Sequence, residues 1–597
     1  MKKSSLKILI LLFLSVTILS GCALKKMVKN YGQVSYEVIP SVLESHGGKI
    51  KVTIKGTIPA KYFDKKAIIE ITPVLTYGSG STKLKPIKLS GEKIIGDGVV
   101  MSKKTGGSFN YSQVIDYKPE MNASVLNLNA IVTIKKKSAE LKQLKVADGV
   151  IYTSERIIFT PELKNKSALG NGTNVIVSDH GYVKETFVSE NATIFYLVDR
   201  SNLDLNIPFN KKAENKEQIK KLIEFLKSDL KIKDITVNAW ASPEGEEARN
   251  QDLSDSRSKT AQKWVKDQLT KFIKAKAKAL KVDEKTLIAE VPEVTLNAKG
   301  EDWDGFMSKI ETSEIKDKDI ILNTIRSQSD GNLRQQEIRK MTVIYKEIED
   351  QILPSLRRAI ITINCYEKKK TDDQMSTMAI STPDSLNINE MLYAASIATD
   401  LNTKESIYRN VTKVFPNDWR GYNDLSAVLI MLNKLDEAKT MAKKADEINQ
   451  NNGSVHNNIG VIAMLNKDYA AAKFYFESSE KLGVAQGYNL GILKIKDGEY
   501  SAAINLFAGK TCDYNVALAQ VLLLSYDGAK QNLDCIKNKT AAVSYLLAII
   551  GARTANTTIM FDNLKIACED ASFKSQAKED REFLKYFSNS EFQAIVK

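Results

Sequence analysis

The chain has 597 residues, more than one hydrophobic core organises, so it divides into several domains. Its formal net charge is +14, from 86 Lys and Arg against 72 Asp and Glu. Only five cysteines are present, which excludes a disulfide-framework protein.

The first residues are a basic start, Lys2, Lys3 and Lys7, an apolar run from Ile8 to Leu19, and then Leu19-Ser20-Gly21-Cys22. The run is too short to span a bilayer. This pattern resembles a bacterial lipoprotein signal peptide. The resemblance implies cleavage before Cys22, acylation of its thiol and loss of residues 1–21 from the mature chain. Removing three signal lysines from +14 leaves +11. No second run of 18 or more apolar residues exists, and Ala541 to Ala552 is interrupted by Ser544 and Tyr545. The mature chain is therefore expected to be anchored by lipid, with its bulk in water. Ala23-Leu24-Lys25-Lys26 follows the cysteine, with no Asp directly after it and no acidic cluster of the surface-export kind found in Bacteroidetes lipoproteins. That combination implies the outer membrane, facing the periplasm. It argues against a nucleic-acid partner. A basic excess there suits anionic lipid head groups or wall carboxylates, and it equally suits solvated lysines on helix faces.

Residues 22–190 read as β-rich. Lys49 to Ile58 alternates around Ile50, Val52 and Ile54; Ala67 to Ile71 and Val125 to Ile134 alternate likewise. Turn signals at Gly78-Ser79-Gly80-Ser81, Gly96-Asp97-Gly98 and Gly106-Gly107 separate them. One or two antiparallel β-sandwiches are expected, serving as an envelope spacer.

Residues 191–368 alternate strand and helix. Strands are expected at Thr193–Val198, Ile235–Ala241 and Ala359–Cys365. An amphipathic helix is expected over Glu214–Leu230, and a second over Asp255–Leu280. Between the first strand pair and the last strand lie Ser242-Pro243-Glu244-Gly245, Asn250, Leu253-Ser254 and Arg257. The order Gly, four residues, Asn, two residues, Leu-Ser, two residues, Arg resembles the signature of the OmpA-like peptidoglycan-binding domain, and Leu356-Arg357-Arg358 before an apolar strand resembles it too. The resemblance spans this segment apart from an insertion at about 290–350, which includes Glu301-Asp302-Trp303-Asp304-Gly305. In that family an Asp and the Arg after Leu-Ser clamp a diaminopimelate unit. Here Arg257 fills the Arg position and Ser242 the Asp position. A carboxylate and a guanidinium together recognise an ammonium and a carboxylate by charge-assisted hydrogen bonds. Loss of the charged partner costs about 1.5–3 kcal/mol. Glu244, Glu246 or Glu247 can return the charge from the same loop, or can sit as a solvated acidic turn at a helix N-terminus. Asn250 is expected to fix the loop.

Residues 369–388 read as a polar linker, in which Asp384-Ser385-Leu386 resembles the short O-glycosylation motif of Bacteroidetes. Residues 389–597 are helical and repetitive. Ser426 to Gly460 is 34 residues, Ala438 to Ala472 is also 34, and Gly491 and Ala503 follow after 31. In each unit the small residue and the alanine are 12 apart, and Phe476 and Phe507 follow their alanines by four. Decayed units starting with Ala517 and Ala529 are expected to run to Phe592. This resembles the tetratricopeptide repeat, which implies an α-solenoid whose concave groove binds a protein partner. The small residues let two helices approach.

Catalytic and metal chemistry find no pattern. His46, His180 and His456 lie far apart in the chain, and no phosphate loop, Gly-x-Ser-x-Gly elbow or Cys–His arrangement occurs. Glu301, Asp302 and Asp304 lack EF-hand spacing. Cys512 and Cys535 fit a bridge in an oxidising compartment, or small buried thiols along with Cys365 and Cys568. The reading is a multidomain, non-enzymatic lipoprotein without cofactors. It links outer membrane, peptidoglycan and a protein partner. The alternative is an accessory subunit of a secretion, assembly or surface-fibre machine whose OmpA-like domain binds protein.

Overall fold

A computed structural model describes residues 22–78, 80–165 and 172–597. The signal segment 1–21, Ser79 of the first turn signal and the Cys22 side chain lie outside the described residues. The described chain forms two compact units. One runs up to His180 and resumes at Met378; the other is Gly181–Thr377.

The first unit begins with a helix, Cys22–Lys29, whose Leu24 and Met27 are buried in the core of a curled, 11-stranded sheet. Lys49–Ile58 buries every second side chain, and Ser124–Ile134 buries alternate residues as far as Val132, because successive strand side chains point to opposite faces. Leu43, Ile50, Ile69, Leu126 and Val132 are among the residues that fill the inner face. The expected sandwich is here one continuous sheet. The physical reason is the parallel pairing of Val42–Glu44 with Asp148–Ile151, which stitches the two halves edge to edge.

The sheet ends at Ile151, and the expected β-rich domain ends before residue 190. After a turn at Thr153–Glu155 the chain leaves for the helical region, where two short parallel strands, Glu162–Asn165 and Asn174–Val177, pair with each other in a separate two-stranded sheet.

The helical region is a TPR-like solenoid of antiparallel hairpins. Trp419–Met431 pairs with Leu435–Ile448, Gly453–Leu465 with Tyr469–Lys481, Gly487–Lys496 with Tyr500–Leu506, Tyr514–Leu522 with Tyr526–Asp534, and Ala541–Arg553 with Thr557–Ala567. Small residues do the expected work. A Cβ at Gly460 would stand 2.7 Å from the Phe476 ring, and one at Gly491 would stand 2.6 Å from that of Phe507. The Ser426 hydroxyl donates to the Ala438 carbonyl at 2.9 Å. Each of the five hairpins turns through a left-handed residue: Asn433, Lys467, Gly498, Leu524 and Ala555. At each turn the next amide bonds five residues back, as in Asp468 N–H to Ala463 and Asn556 N–H to Gly551. Cys512 and Cys535 form a disulfide; Cys365 and Cys568 are buried thiols.

In the second unit a four-stranded sheet runs in the order Phe187–Phe195, Arg358–Tyr366, Ile232–Ala241, Val294–Glu301. Helices Ala213–Leu226 and Glu247–Leu280 cover it, through Leu222, Ala261, Val265 and Leu269. The sequence pattern missed the strand Val294–Glu301, whose lone buried apolar end residue hides its period. The helical insertion begins at Trp303, later than expected, and has its own core around Phe306, Ile310, Ile321 and Leu353. Part of the expected linker is helical, over Asp372–Ser381, followed by a 3-10 turn at Pro383–Ser385. No described helix is long and apolar enough to cross a membrane.

Candidate functional site

Two places gather buried polar side chains. One is the inner face of the solenoid; the other is the loop that precedes helix Glu247–Leu280.

The inner face is lined from the first helix of each hairpin. Asn423 and Asp424, then Asn457 and Asn458, recur at a spacing of 34 and lie near the start of their helices; Asn489 and Asn515 continue the row. All are buried. Their partner is the chain's own residues 158–165 and 172–178. Asn458 grips Ile176 at both main-chain groups: its Oδ1 accepts the N–H at 2.8 Å, and its Nδ2 donates to the carbonyl at 2.8 Å. Asn515 grips Ile158 in the same way, at 3.0 and 2.7 Å. Asn457 donates to the Asn174 carbonyl, and Asn423 donates to that of Ile176. The Ser178 N–H and hydroxyl both donate to Asp424, each at 2.7 Å.

The amides also bond one another, Asn458 to Asn423, Gln486 to Asn457 and Asn489 to Gln486. The row is thus satisfied along its length, as buried polar groups must be. Segment and solenoid run in opposite directions, since Ile158 meets Asn515 and Ser178 meets Asp424. Val175 and Ile176 are almost completely buried beneath it. Burial holds the Asp424 carboxyl up at about 7, against the hydrogen bonds that favour its charged form. Upstream of the segment, Arg156 lies between the rings of Tyr152 and Tyr545, 4.4 and 4.6 Å from their centroids, and pairs with Asp580. The concave groove that the repeats imply is therefore occupied along this stretch by the protein itself. Two signals in the sequence bear on this. One is the 34-residue recurrence of Asn or Asp pairs in the first helices; the other is the wholly apolar Val175-Ile176-Val177 between Asn174 and Ser178.

The second place holds the residues singled out from the loop signature. Arg257 is completely buried. Its Nε donates to the Arg200 carbonyl (3.1 Å), Nη1 to that of Trp240 (2.9 Å) and Nη2 to that of Leu197 (3.2 Å). Desolvation pulls its pKa down to about 10. Ser242, also buried, donates to Glu244 Oε1 at 2.6 Å. Glu244 pairs with Arg357, whose Nε and Nη2 both stand 2.8 Å from Oε1.

Asn250 ties the loop down, donating to the Glu244 carbonyl and to Glu301. Glu301 also accepts from Gln335 and from the Trp303 indole, and its burial raises its pKa. The loop, the helix and Asp199 enclose a cavity of about 180 Å³ lined by Ser242, Glu244, Arg249 and Arg257. Arg249 closes one side through Asp199, at 2.6 Å. Asp302 caps the following helix and pairs with Arg358.

The histidines stand apart. His46 meets Tyr500 and Glu44, His456 meets Ser478 and Asp446, and His180 meets the Tyr393 ring. Among the described residues no group of three or more His, Cys, Asp or Glu side chains is placed to hold a metal ion.

No protein-family model matches the chain, and no curated protein matches it significantly. Among solved structures, one of Pseudomonas aeruginosa pilF is similar at 15% identity, over 38% of this chain and 98% of that one, with a TM-score of 0.26. The Cut9–Hcn1 hetero-tetramer of the APC/C is similar at 12% identity, over 59% of this chain and 76% of that one, with a TM-score of 0.27. The TPR-like solenoid is defined by its own hairpin packing.

Proposed function

We propose that this protein is a non-catalytic scaffold of the cell envelope, lipid-anchored at Cys22 to the outer membrane and facing the periplasm. In this reading it is an accessory part of a secretion, assembly or surface-fibre machine, and its OmpA-like unit binds protein and not cell wall. The observation that carries the choice is the state of Arg257. A guanidinium that is to clamp a diaminopimelate carboxylate needs free N–H groups at a surface. Here each of its three nitrogens already donates to a main-chain carbonyl, and the side chain has no exposure. Glu244, which could return the missing charge, is held by Arg357 and Ser242.

The solenoid supports the scaffold role. The strand in its groove leaves another groove of about 480 Å³ open between successive hairpins, lined by Lys443, Asp446, Ile459, Ile462 and Tyr475 among others. The test is sedimentation of the full mature chain with peptidoglycan sacculi, beside cross-linking in outer membranes. Background sedimentation together with discrete cross-linked proteins is expected. Co-sedimentation of the wild-type chain that free diaminopimelate competes away would restore the wall as ligand.

A further inference from the structure

The positive charge of the first unit is concentrated at one end of its sheet. Ala67 pairs with Ile134 there. The Lys61 N–H donates to Lys103, and that of Lys93 to Lys65. Gly91 abuts the Asp64 and Lys65 backbone. The Tyr62 hydroxyl donates to the Met27 carbonyl, which brings the N-terminal helix to the same end. The helix contributes three exposed lysines, and the connection 59–66 adds three more. Lys93 adds one, residues 102–105 add two, and 135–137 are three in succession, all exposed. Those twelve lysines face three carboxylates, Asp64, Glu92 and Asp97, so these segments with the loop around Ile95 hold a net charge of +9. Ile95, two residues beyond Lys93, is fully exposed at 102%.

The opposite end is different. Glu44, Glu155 and Asp116 lie there, and there the solenoid docks, through Arg553 on Glu44, Lys496 on Glu155, and Thr153 on Glu582.

We infer that this lysine-rich end, with the N-terminal helix, is a docking face for an anionic phospholipid surface. The helix is packed into the sheet from Leu24 onward. A lipid on Cys22 therefore has no free tether, and the sheet end must lie close to the head groups. Each lysine near an anionic surface adds attraction that fades within a Debye length. Ile95 offers an apolar tip to the interface between them. The inference deepens the anchor reading of Cys22 and rests on it.

The test uses the full mature chain with Cys22→Ser, so that no acyl chain contributes. It is sedimented with vesicles of phosphatidylcholine alone, or with about one third phosphatidylglycerol. Tighter binding to the anionic vesicles, by at least about tenfold, is expected, with loss in about 1 M NaCl, where the Debye length is about 3 Å. Replacing the three lysines at 135–137 by Glu should weaken binding at least about tenfold, and Lys25→Glu with Lys26→Glu should act in the same direction. Lys51→Glu, Lys83→Glu and Lys118→Glu, exposed lysines away from this end, make an equal change in net charge and should cost far less. Equal binding to neutral vesicles, or equal losses in both triple variants, would overturn the inference. The mass of the Cys22 peptide from native membranes decides the anchor separately: an unacylated Cys22 removes the anchor, while the vesicle result decides the face.

Discussion

The solenoid groove and the Arg257 loop solve one problem with different chemistry. In both, buried polar side chains are satisfied by main chain of the same protein. In the groove most donors and acceptors are neutral amides, with the Asp424 carboxyl at the Ser178 end, and Asn458 and Asn515 each make two bonds to one residue. In the loop a single charged group spreads over three carbonyls. An amide reads only the backbone of an extended strand, so almost any strand of the right shape fits. A buried guanidinium without a facing carboxylate is tolerable only while every carbonyl stays in place. The groove is therefore adaptable in principle and happens to be filled, whereas the loop is a structural lock.

That contrast can be broken experimentally, and the largest effect is expected at the lock. Arg257→Met should take the Arg257 donor from the Arg200, Trp240 and Leu197 carbonyls, of which Leu197 keeps the Arg200 N–H, and destabilise the second unit by about 3 kcal/mol, read from urea unfolding. A variant that melts like wild type would show that Arg257 is not a structural lock. Asn458→Leu should come next. It removes both contacts to Ile176 and strands the Asn423 carbonyl oxygen, for about 2–3 kcal/mol, and the Ile176 amide should exchange far faster with deuterium. Asn515→Ala cuts a similar pair at the other end of the segment. Its expected cost is about 1–2 kcal/mol, with increased proteolysis near Ile158 as the sign of undocking.

A pH dependence is expected at Asp424. Its folded pKa, about 7, lies above the unfolded value near 4, so the folded state binds the extra proton between them. Stability from this group is present below about pH 4 and is lost as pH rises to about 7. Melting temperature should fall over that window in the wild type and fall less in Asp424→Asn. Parallel profiles would place the titration elsewhere.

Much of the fold could be read from periods. The alternation at 49–58 and 124–134 marks strands, and the 34-residue recurrence marks hairpins whose small residues admit Phe476 and Phe507. The recurrence is lost from Ala517 on, although of the last two hairpins only the one built from Tyr514–Leu522 and Tyr526–Asp534 has shorter helices, and the left-handed turns at Leu524 and Ala555 keep the architecture. The loop signature located the residues of the second site without revealing their state, because no pattern records that Arg257 faces carbonyls.

By itself the sequence determined the element types, the repeat and the concentration of lysines and glutamates in particular segments. Those follow from side-chain period and local turn chemistry, which act over a few residues. Only the tertiary structure decided that strand Val42–Glu44 joins Asp148–Ile151, that residues 172–178 lie in the groove against side chains more than 240 residues away, and that five separated lysine segments share one end of the sheet. Those outcomes rest on backbone hydrogen bonds and chain reversal. Backbone groups are the same at every residue, so their pairings leave little trace in the order of side chains.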